Sequence, residues 1–533
     1  MKNIVKNILI TLLFGIVYYY FVLPPLNITD ISFWLFVITL LFVYFICSKT
    51  ILFSNTKIHI IRAKIINKKE RNYEYLIPII IITIVMVISL IDLILSPLFL
   101  SKVYSKRITV NEDNSFIDDI KEVDFNTLPI IDKDSSRKLG DRVMGHMPEL
   151  VSQFDVSNLY TQINFNNDIV RVTPLEYSDI FKYFANRKDG IKGYIVVNSV
   201  TGESKLIKLD KGLKYAPSAF FFEDLDRKLR FKYPTKIFGQ KSFEIDNDGN
   251  PYWIIPVIKY HGINIRRKIV EAIIFNPITG ESKLYDVKDV PSWVDHVYSA
   301  ELIIEQVNDW GKYKRGFINS IIGQKGVVAT TEGYNYTVMN DDVYLYTGIT
   351  SAVADESNIG FILTNLRTKE TNFYPVAGAE EYSAMASAEG QVQQMKYIST
   401  FPLLINLNNK PTYFVSLKDN AGLVKMYGLV DVADYQKVTV VDVSLGLNEL
   451  VKRYLQNDVI DDSRLLFKDI RIKSITSVVI DNNTYYYIVD TTDQKYSVAI
   501  KVNPNKLPFL KVNDEINIGY LKEEEVTEIK VIK

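Results

Sequence analysis

Cysteine is almost absent from this chain. The single residue in 533, Cys47, excludes a disulfide framework and any Cys-based zinc cluster. Four histidines leave little for metal or acid–base chemistry, and His146, His261 and His296 are far apart in sequence. No H-E-x-x-H, G-x-S-x-G, P-loop or dinucleotide fingerprint occurs, nor an S-x-x-K with its partner motifs. The pair Asp295-His296 sets an acid beside an imidazole, but chain neighbours on a strand point apart, so no dyad is expected. Net charge is also missing: 62 Lys+Arg balance 62 Asp+Glu. The balance hides a split, because residues 1–100 carry nine Lys/Arg against four Asp/Glu. Paired carboxylates for glycan cleavage have no pattern that singles out two among the many acids of the remainder.

Apolar residues are plentiful, at 47%, which excludes a disordered or collagen-like chain. Three apolar runs fill the first hundred positions, at residues 8–23, 31–47 and 76–95. Each is near the length an α-helix needs to cross about 30 Å of hydrocarbon. No small-x-small cleavage site precedes Pro24 and two more runs follow, so the first is expected to be an uncleaved helix. The loop 24–30 has no Lys or Arg, whereas the next loop carries Lys49, Lys57, Arg62, Lys64, Lys68, Lys69 and Arg71. Positive loops stay cytoplasmic. The expected product is a multi-pass cell-membrane protein with its N-terminus cytoplasmic and residues 101–533 extracytoplasmic. Lys102, Lys106 and Arg107 argue the other way, three charges against seven. Trp34 and the run Tyr18–Tyr20 sit where aromatic belts lie, and Asp92 reads as an interfacial acid where the third helix leaves the core.

Beyond the membrane region the sequence repeats itself. Residues 196–206, VVNSVTGESKL, match 274–284, IFNPITGESKL, at an offset of 78 positions. The first copy holds Asn198, Thr201, Gly202 and Glu203, and the second holds Asn276, Thr279, Gly280 and Glu281. A fainter third copy keeps Asn365, Thr368 and Glu370. Asn bonds its own backbone two residues on and Gly tolerates positive φ, so N-x-x-T-G-E reads as the turn of a hairpin. A cation site is the other reading of those side chains, but no further acidic ligands cluster around them. Helices are expected over 220–231 and 377–395 and around 447–455, with strands between, giving an α+β fold of antiparallel sheets.

The strand–turn–strand pattern preceded by a helix resembles the PepSY repeat of bacterial extracytoplasmic and membrane proteins, which is associated with binding or restraining peptidases. Residues 129–430 are also similar to a group of uncharacterised membrane-anchored proteins of Gram-positive bacteria. The TGE turns, Pro291-Ser292-Trp293-Val294-Asp295, residues 346–361 and residues 379–394 carry that similarity. The implied function is binding or regulation of peptides or peptidases.

Residues 377–394 have almost no bulky apolar side chains, and the smooth face with Glu380, Glu381, Ser383, Ser387 and Glu389 is the candidate ligand groove. Asp355, Glu356 and Arg367 are its candidate polar partners. The last 70 residues read as five strands, near 470–480, 484–489, 495–502, 515–520 and 526–532, and resemble a small OB-type barrel. Tyr485, Tyr486 and Tyr487 are consecutive, so alternate rings face inward, and the acids Glu523, Glu524 and Glu525 oppose nucleic acid as a partner.

The expected organisation is a transmembrane region 1–100, a linker 101–128, PepSY-like repeats 129–298, a further α+β unit 299–435, a helical connector 436–462 and an OB-like barrel 463–533. The expected role is a non-enzymatic, membrane-anchored binding or scaffold protein of the cell envelope. Its partners would be the lipid bilayer and another envelope protein or peptide, with no cofactor, no metal and no nucleic acid. The alternatives are an envelope hydrolase of peptidoglycan or peptide and an accessory subunit of a membrane complex.

Overall fold

The computed structural model describes residues 2–58, 76–351, 354–456, 466–480, 483–520 and 525–532; side chains are not described at 2–3, 49–58, 354–357, 480, 483 and 501. The basic loop read from the sequence falls on residues 49–75, so Arg62, Lys64, Lys68, Lys69 and Arg71 lie outside the described residues, as do Glu523 and Glu524. The chain is mixed α+β and divides into two compact units, 1–450 and 451–533.

Three N-terminal helices, Lys2–Val22, Ile31–Ile58 and Leu76–Ile94, are long and apolar enough to cross a membrane. The first two pack together, with Tyr18 stacked between Phe14 and Phe36 at 5.5 Å on each side. A short helix, Pro97–Tyr104, continues from the third. The loop joining the first two helices is held by residues of the sheet region: Leu26 N–H donates to Pro234 O at 2.8 Å and Asn264 N–H to Thr29 O at 2.9 Å. Asp92 lies beside Ile263 of the folded domain, and its Oδ1 is buried without a hydrogen-bond partner.

Residues 133–442 form four copies of one unit. Each begins with a helix: Lys133–Gly145, Leu225–Lys232, Ala300–Tyr313 and Glu381–Gln391. A short edge strand follows, then a hairpin strand, two long strands and a last strand. In repeat 1 these are Phe154–Val156, Thr161–Phe165, Asp168–Tyr177, Ile191–Asn198 and Ser204–Leu213. All four sheets share this pairing: edge and hairpin strands lie on one side of the first long strand, and the other two follow on its far side. The recurrence is local chemistry. Three first hairpins close on two residues with positive φ, Asn166-Asn167, Asn340-Asp341 and Asn408-Asn409, the combination that suits the right-handed twist of paired strands.

The final hairpin of each repeat carries the turn found in the sequence. Asn198 Oδ1 accepts from Val200 N and Thr201 N, both at 2.9 Å, Gly202 has φ 76°, and Thr201 Oγ1 accepts from Glu203 N at 3.2 Å. The second copy repeats each bond. Asn276 Oδ1 accepts from Ile278 N and Thr279 N at 2.9 and 3.0 Å, Gly280 has φ 77°, and Glu281 N donates to Thr279 Oγ1 at 3.2 Å. In the third, Asn365 Oδ1 accepts from Arg367 N and Thr368 N, Lys369 holds the left-handed position, and Glu370 N donates to Thr368 Oγ1 at 3.3 Å. A fourth copy escaped the sequence reading: Asp431 Oδ1 accepts from Ala433 N and Asp434 N at 2.9 and 3.0 Å.

Two helix expectations are corrected. Residues 220–231 split into a 3-10 turn, Phe221–Glu223, and the helix Leu225–Lys232, because Asp224 caps the second piece by accepting from Arg227 N at 2.7 Å. Residues 377–380 are extended, since Gly378–Ala379 pairs with the strand Ala354–Asn365 and Ala379 N–H bonds Val432 O. The helices Lys133–Gly145 and Ala300–Tyr313 were not expected.

Neighbouring repeats share cores. Trp253, Ile255 and Phe275 of repeat 2 face repeat 1, while Ile254, Ala272 and Ile274 on the alternate face meet repeat 3. Repeat 3 splits likewise, with Ile362 toward repeat 2 and Phe361 and Leu363 toward repeat 4. Repeat 4 returns to repeat 1 through polar contacts: Lys418 Nζ to Asp132 Oδ2 at 2.6 Å, Ser416 Oγ to Ile130 O at 3.2 Å, and Asn406 Nδ2 to Ile120 O at 2.6 Å.

The C-terminal unit is a small barrel. Leu466–Ile480 pairs through its first half with Glu515–Tyr520 and through its second with Asn483–Asp490, which pairs with Lys495–Ala499. The final segment closes the ring, because Val526–Glu528 runs parallel to Lys495–Ala499 and Val531–Ile532 antiparallel to Glu515–Tyr520. Tyr486 packs on the barrel core while Tyr487 is exposed, the alternation expected of consecutive strand residues.

Removing the cation of the seam between repeats 4 and 1 should loosen that contact alone. Lys418→Met is expected to lower stability by about 1–2 kcal/mol and to speed amide exchange at Val123, whose N–H bonds Asn406 O. Exchange at Trp253 should stay unchanged; equal acceleration at both amides would refute a local seam.

Candidate functional site

The repeats meet at a hub, and there a cavity of about 380 Å³ opens, bordered by all four of them. The same hairpin strand contributes each time: Thr161 and Gln162 from repeat 1, Ser242 from repeat 2, Asn335 and Tyr336 from repeat 3, Leu403 from repeat 4. Repeats 1 and 3 touch across it through Gln162 Nε2 and Tyr336 O at 3.5 Å. Tyr298, Tyr334, Phe401 and Phe414 supply apolar wall, and Asp132, Lys241 and Glu301 stand at the border.

Arg171 is the decisive lining residue. It sits on the long strand Asp168–Tyr177 between Val170 and Val172, directly across from Gln162 on the neighbouring strand, so both side chains leave the same face. Arg171 is only 5% exposed, yet its Nε has no hydrogen-bond partner and it makes no ion pair among the described residues. Gln162 Oε1 beside it is also buried without a partner. Burial draws the guanidinium down to about 10, a shift opposed by Asp132 at longer range, so it keeps its charge at neutral pH. Of the other cations nearby, Lys241 is paired with Asp226 at 2.6 Å and Lys418 with Asp132.

His296 closes the floor, its Nε2 donating to Gln162 O at 2.6 Å, and burial holds it below the usual imidazole value, hence neutral. Its neighbour points away: Asp295 Oδ2 accepts from Asn164 N at 2.8 Å and borders a separate polar recess with Asn166, Asn247 and Asp341. Beneath both lies Glu244, fully buried, whose carboxylate accepts from the N–H groups of Asp295 and His296. Burial, then the Glu244 charge, push the Asp295 carboxyl well above the ordinary range. Among the described residues no group of three or more His, Cys, Asp or Glu is placed to hold a metal ion.

The residues singled out in the sequence do not converge. Helix Glu381–Gln391 buries Ala384 and Ala388 in the core between repeats 3 and 4. Glu381 is fully buried, which corrects its expected place on an open groove: it accepts from Tyr346 Oη at 3.0 Å and Asn358 Nδ2 at 3.3 Å. Glu380 stands at the N-cap position of the helix, Glu389 Oε1 accepts from Ser399 N at 2.8 Å, and Ser383 and Ser387 are both half-buried. Arg367 turns to Asp342, Nε to Oδ1 at 2.9 Å, and not to the helix. Asp355 and Glu356 lie on the strand Ala354–Asn365, outside the residues whose side chains are described.

The repeat turns stay apart from the hub as well. Glu203, Glu281 and Glu370 are exposed at the tips of three separate hairpins, and none of Asn198, Thr201, Gly202, Asn276, Thr279, Gly280, Asn365 or Thr368 lines the cavity. Their Asn and Thr oxygens accept from the backbone of the turn, and a Cβ at Gly280 would strike the Tyr215 ring, so these residues form a packed reversal of the chain. Sequence reading missed Arg171 and Gln162. The available signal was a lone cation inside the apolar run Ile169–Leu175.

No protein-family profile matches this chain, and no curated protein matches it. Among solved structures, a levansucrase mutant from B. megaterium aligns at a TM-score of 0.18 with 11% identity, over 80% of this chain and 96% of that one. An ancestral GH74 enzyme aligns at 0.16 with 10% identity, over 63% of this chain and 41% of that one. Likeness at this level carries no argument about fold or chemistry.

The raised Asp295 has a pH signature with a definite sign. Its folded-state value lies above the unfolded 3.8, so the charged form destabilises the fold above that window and the penalty lifts as pH falls through it. Asp295→Asn keeps an acceptor for Asn164 N–H and is expected to raise the thermal midpoint at pH 7 but not near pH 3.5. A midpoint lowered at pH 7 but unchanged near pH 3.5 would show instead that the ionised carboxylate is needed.

Proposed function

We propose that this chain is a membrane-anchored, extracytoplasmic binding protein of the cell envelope whose hub cavity receives an anionic ligand, a carboxylate-bearing peptide end being the class that fits. The observation carrying this reading is Arg171, a buried and charged guanidinium with no counter-ion among the described residues. An unpaired buried cation is destabilising by several kcal/mol, and a carboxylate arriving from outside supplies the missing partner. Gln162 Oε1, an acceptor without a donor, suits the N–H of the same peptide end. The aromatic walls suit its side chains, and the cavity volume lies in the range of small-ligand sites.

An outside location is supported by the asymmetry of loop charge, seven cations in 49–71 against none in 24–30. The uncharged loop is the one bonded to the repeats. Arg107, which argued the other way, is nearly buried and paired with Asp309 and Glu305, so it does not act as a free loop charge. In this reading the four repeats are PepSY-like and the terminal barrel OB-like; the parallel closure of that barrel supports the latter. The role is display of a binding hub above the bilayer, for a peptide or the exposed end of an envelope protein.

Arg171→Met tests it, since removing an uncompensated charge should stabilise the ligand-free protein by about 1–4 kcal/mol. The same change should abolish the stabilisation given by a peptide with a free C-terminal carboxylate; its amidated form should be inert toward both proteins. If wild type and variant respond equally to the free acid, the hub is not the site.

A further inference from the structure

The soluble repeats expose two apolar patches beside the points where the chain leaves its membrane helices. The first gathers Phe181, Phe184, Phe221, Phe222 and Phe231, with Phe181 76% and Phe222 68% exposed. It is continuous with the first membrane helix, because Phe222 meets Tyr20 at 5.9 Å and Phe231 meets Tyr19 at 6.1 Å between ring centroids. These tyrosines belong to the aromatic belt of that helix, which fixes the depth of the patch at the membrane–water boundary.

The second patch is the turn after the leading helix of repeat 3. Ile318 and Ile322 are 74% and 82% exposed, with Ile321 between them. Phe317 stacks on Tyr313 at 6.4 Å, and Tyr313 meets Tyr104 at 6.0 Å. Tyr104 ends the short helix that continues the third membrane helix, so this patch too lies where the chain emerges. Basic residues flank both patches in sequence: Lys182, Arg187 and Lys188 around the first, Lys314, Arg315 and Lys325 around the second. Exposed apolar side chains among cations are the composition of segments that lie in a bilayer interface and contact anionic headgroups.

We infer that the repeat domain is seated in the outer interface of its own membrane, with the phenylalanine patch and the isoleucine turn immersed on either side of the helices. The occupant is the bilayer and not a protein, because the first patch meets the first membrane helix through ring contacts and the second meets Tyr104 on the short helix that follows the third. Large exposed apolar areas on a soluble domain otherwise favour aggregation.

The test uses the full chain with Cys47→Ser, carrying one cysteine at a time (Phe222→Cys, Ile322→Cys or Asp248→Cys) labelled with a polarity-sensitive fluorophore. Each protein is reconstituted into phosphatidylglycerol–phosphatidylcholine vesicles. Asp248 is the aqueous control: it is exposed at one end of the strand Pro251–Lys259, and the loop beyond the other end bonds Thr29, roughly 30 Å away. Labels at 222 and 322 should show blue-shifted emission, quenching by spin-labelled lipid and protection from iodide, while the label at 248 shows the reverse. Iodide quenching at 222 and 322 equal to that at 248 overturns the proposal, and so does protection of one patch without the other.

Discussion

A β-sheet with apolar side chains on both faces cannot stop at one neighbour, and that constraint organises the repeat region of this protein. In repeat 2, Ile254 and Ile255 are consecutive and both buried, so the sheet must be covered above and below. Repeat 3 has the same problem at Phe361 and Ile362. Each of these two inner repeats is therefore half of two cores, and neither can hide its apolar surface alone. The outer two repeats differ. Repeat 1 covers its far face with its own helix, where Met144 packs, and repeat 4 turns Thr412, Ser416 and Phe414 away from the shared core.

The order of the four then leaves one junction unlike the others. Three junctions are apolar; the junction of repeat 4 with repeat 1 is a line of hydrogen bonds made by residues 120–138. A polar junction can hold a cavity beside it without exposing hydrocarbon, and the hub cavity lies there. Arg171 follows from the same arrangement. Its strand is apolar enough to be buried, and the carboxylates nearest in sequence, Asp168 and Glu176, sit at the two ends of that strand. The guanidinium thus borders the cavity with its Nε unpartnered and no carboxylate in ion-pair contact among the described residues.

Much of this was visible in the sequence where the signal is local. Membrane helices announce themselves by run length, and the N-x-x-T-G-E turns by side chains that bond the adjacent backbone. The fourth turn was hidden because Asp431 replaces Asn, Asp434 replaces Thr, and one extra residue separates the strands. The helix Lys133–Gly145 was hidden by its Ser, Gly and Asp content, although Asp132 with Ser135 three places on is an N-cap arrangement. The hub was beyond reach for another reason. Gln162, Ser242, Tyr336 and Leu403 are brought together only by the packing of whole repeats, and no spacing encodes that. Glu381 misled for the converse reason: an acid on a small-residue helix looks exposed until Tyr346, Asn358 and the glycine at 348 show the pocket that accepts it.

The junction with the membrane helices shows why the repeats are more than cargo on a tether. The last carbonyls of an α-helix have no partners within the helix, and at the bilayer surface water reaches them poorly. Here repeat 2 provides the donors: Arg227 Nε bonds Tyr20 O at 3.2 Å, and Arg230 Nε bonds Leu23 O at 2.9 Å. Arg227 also lies over the Tyr20 ring, 4.2 Å from its centroid. Two cations at the negative end of the helix dipole add an electrostatic term in the same direction. Arg230 is itself nearly buried, and its Nη1 donates to Lys236 O at 2.6 Å, inside repeat 2. One side chain therefore closes the first membrane helix and the start of the second sheet together. A flexible linker would leave both sets of carbonyls unsatisfied, so repeat 2 is held against the first helix by the same bonds that terminate that helix.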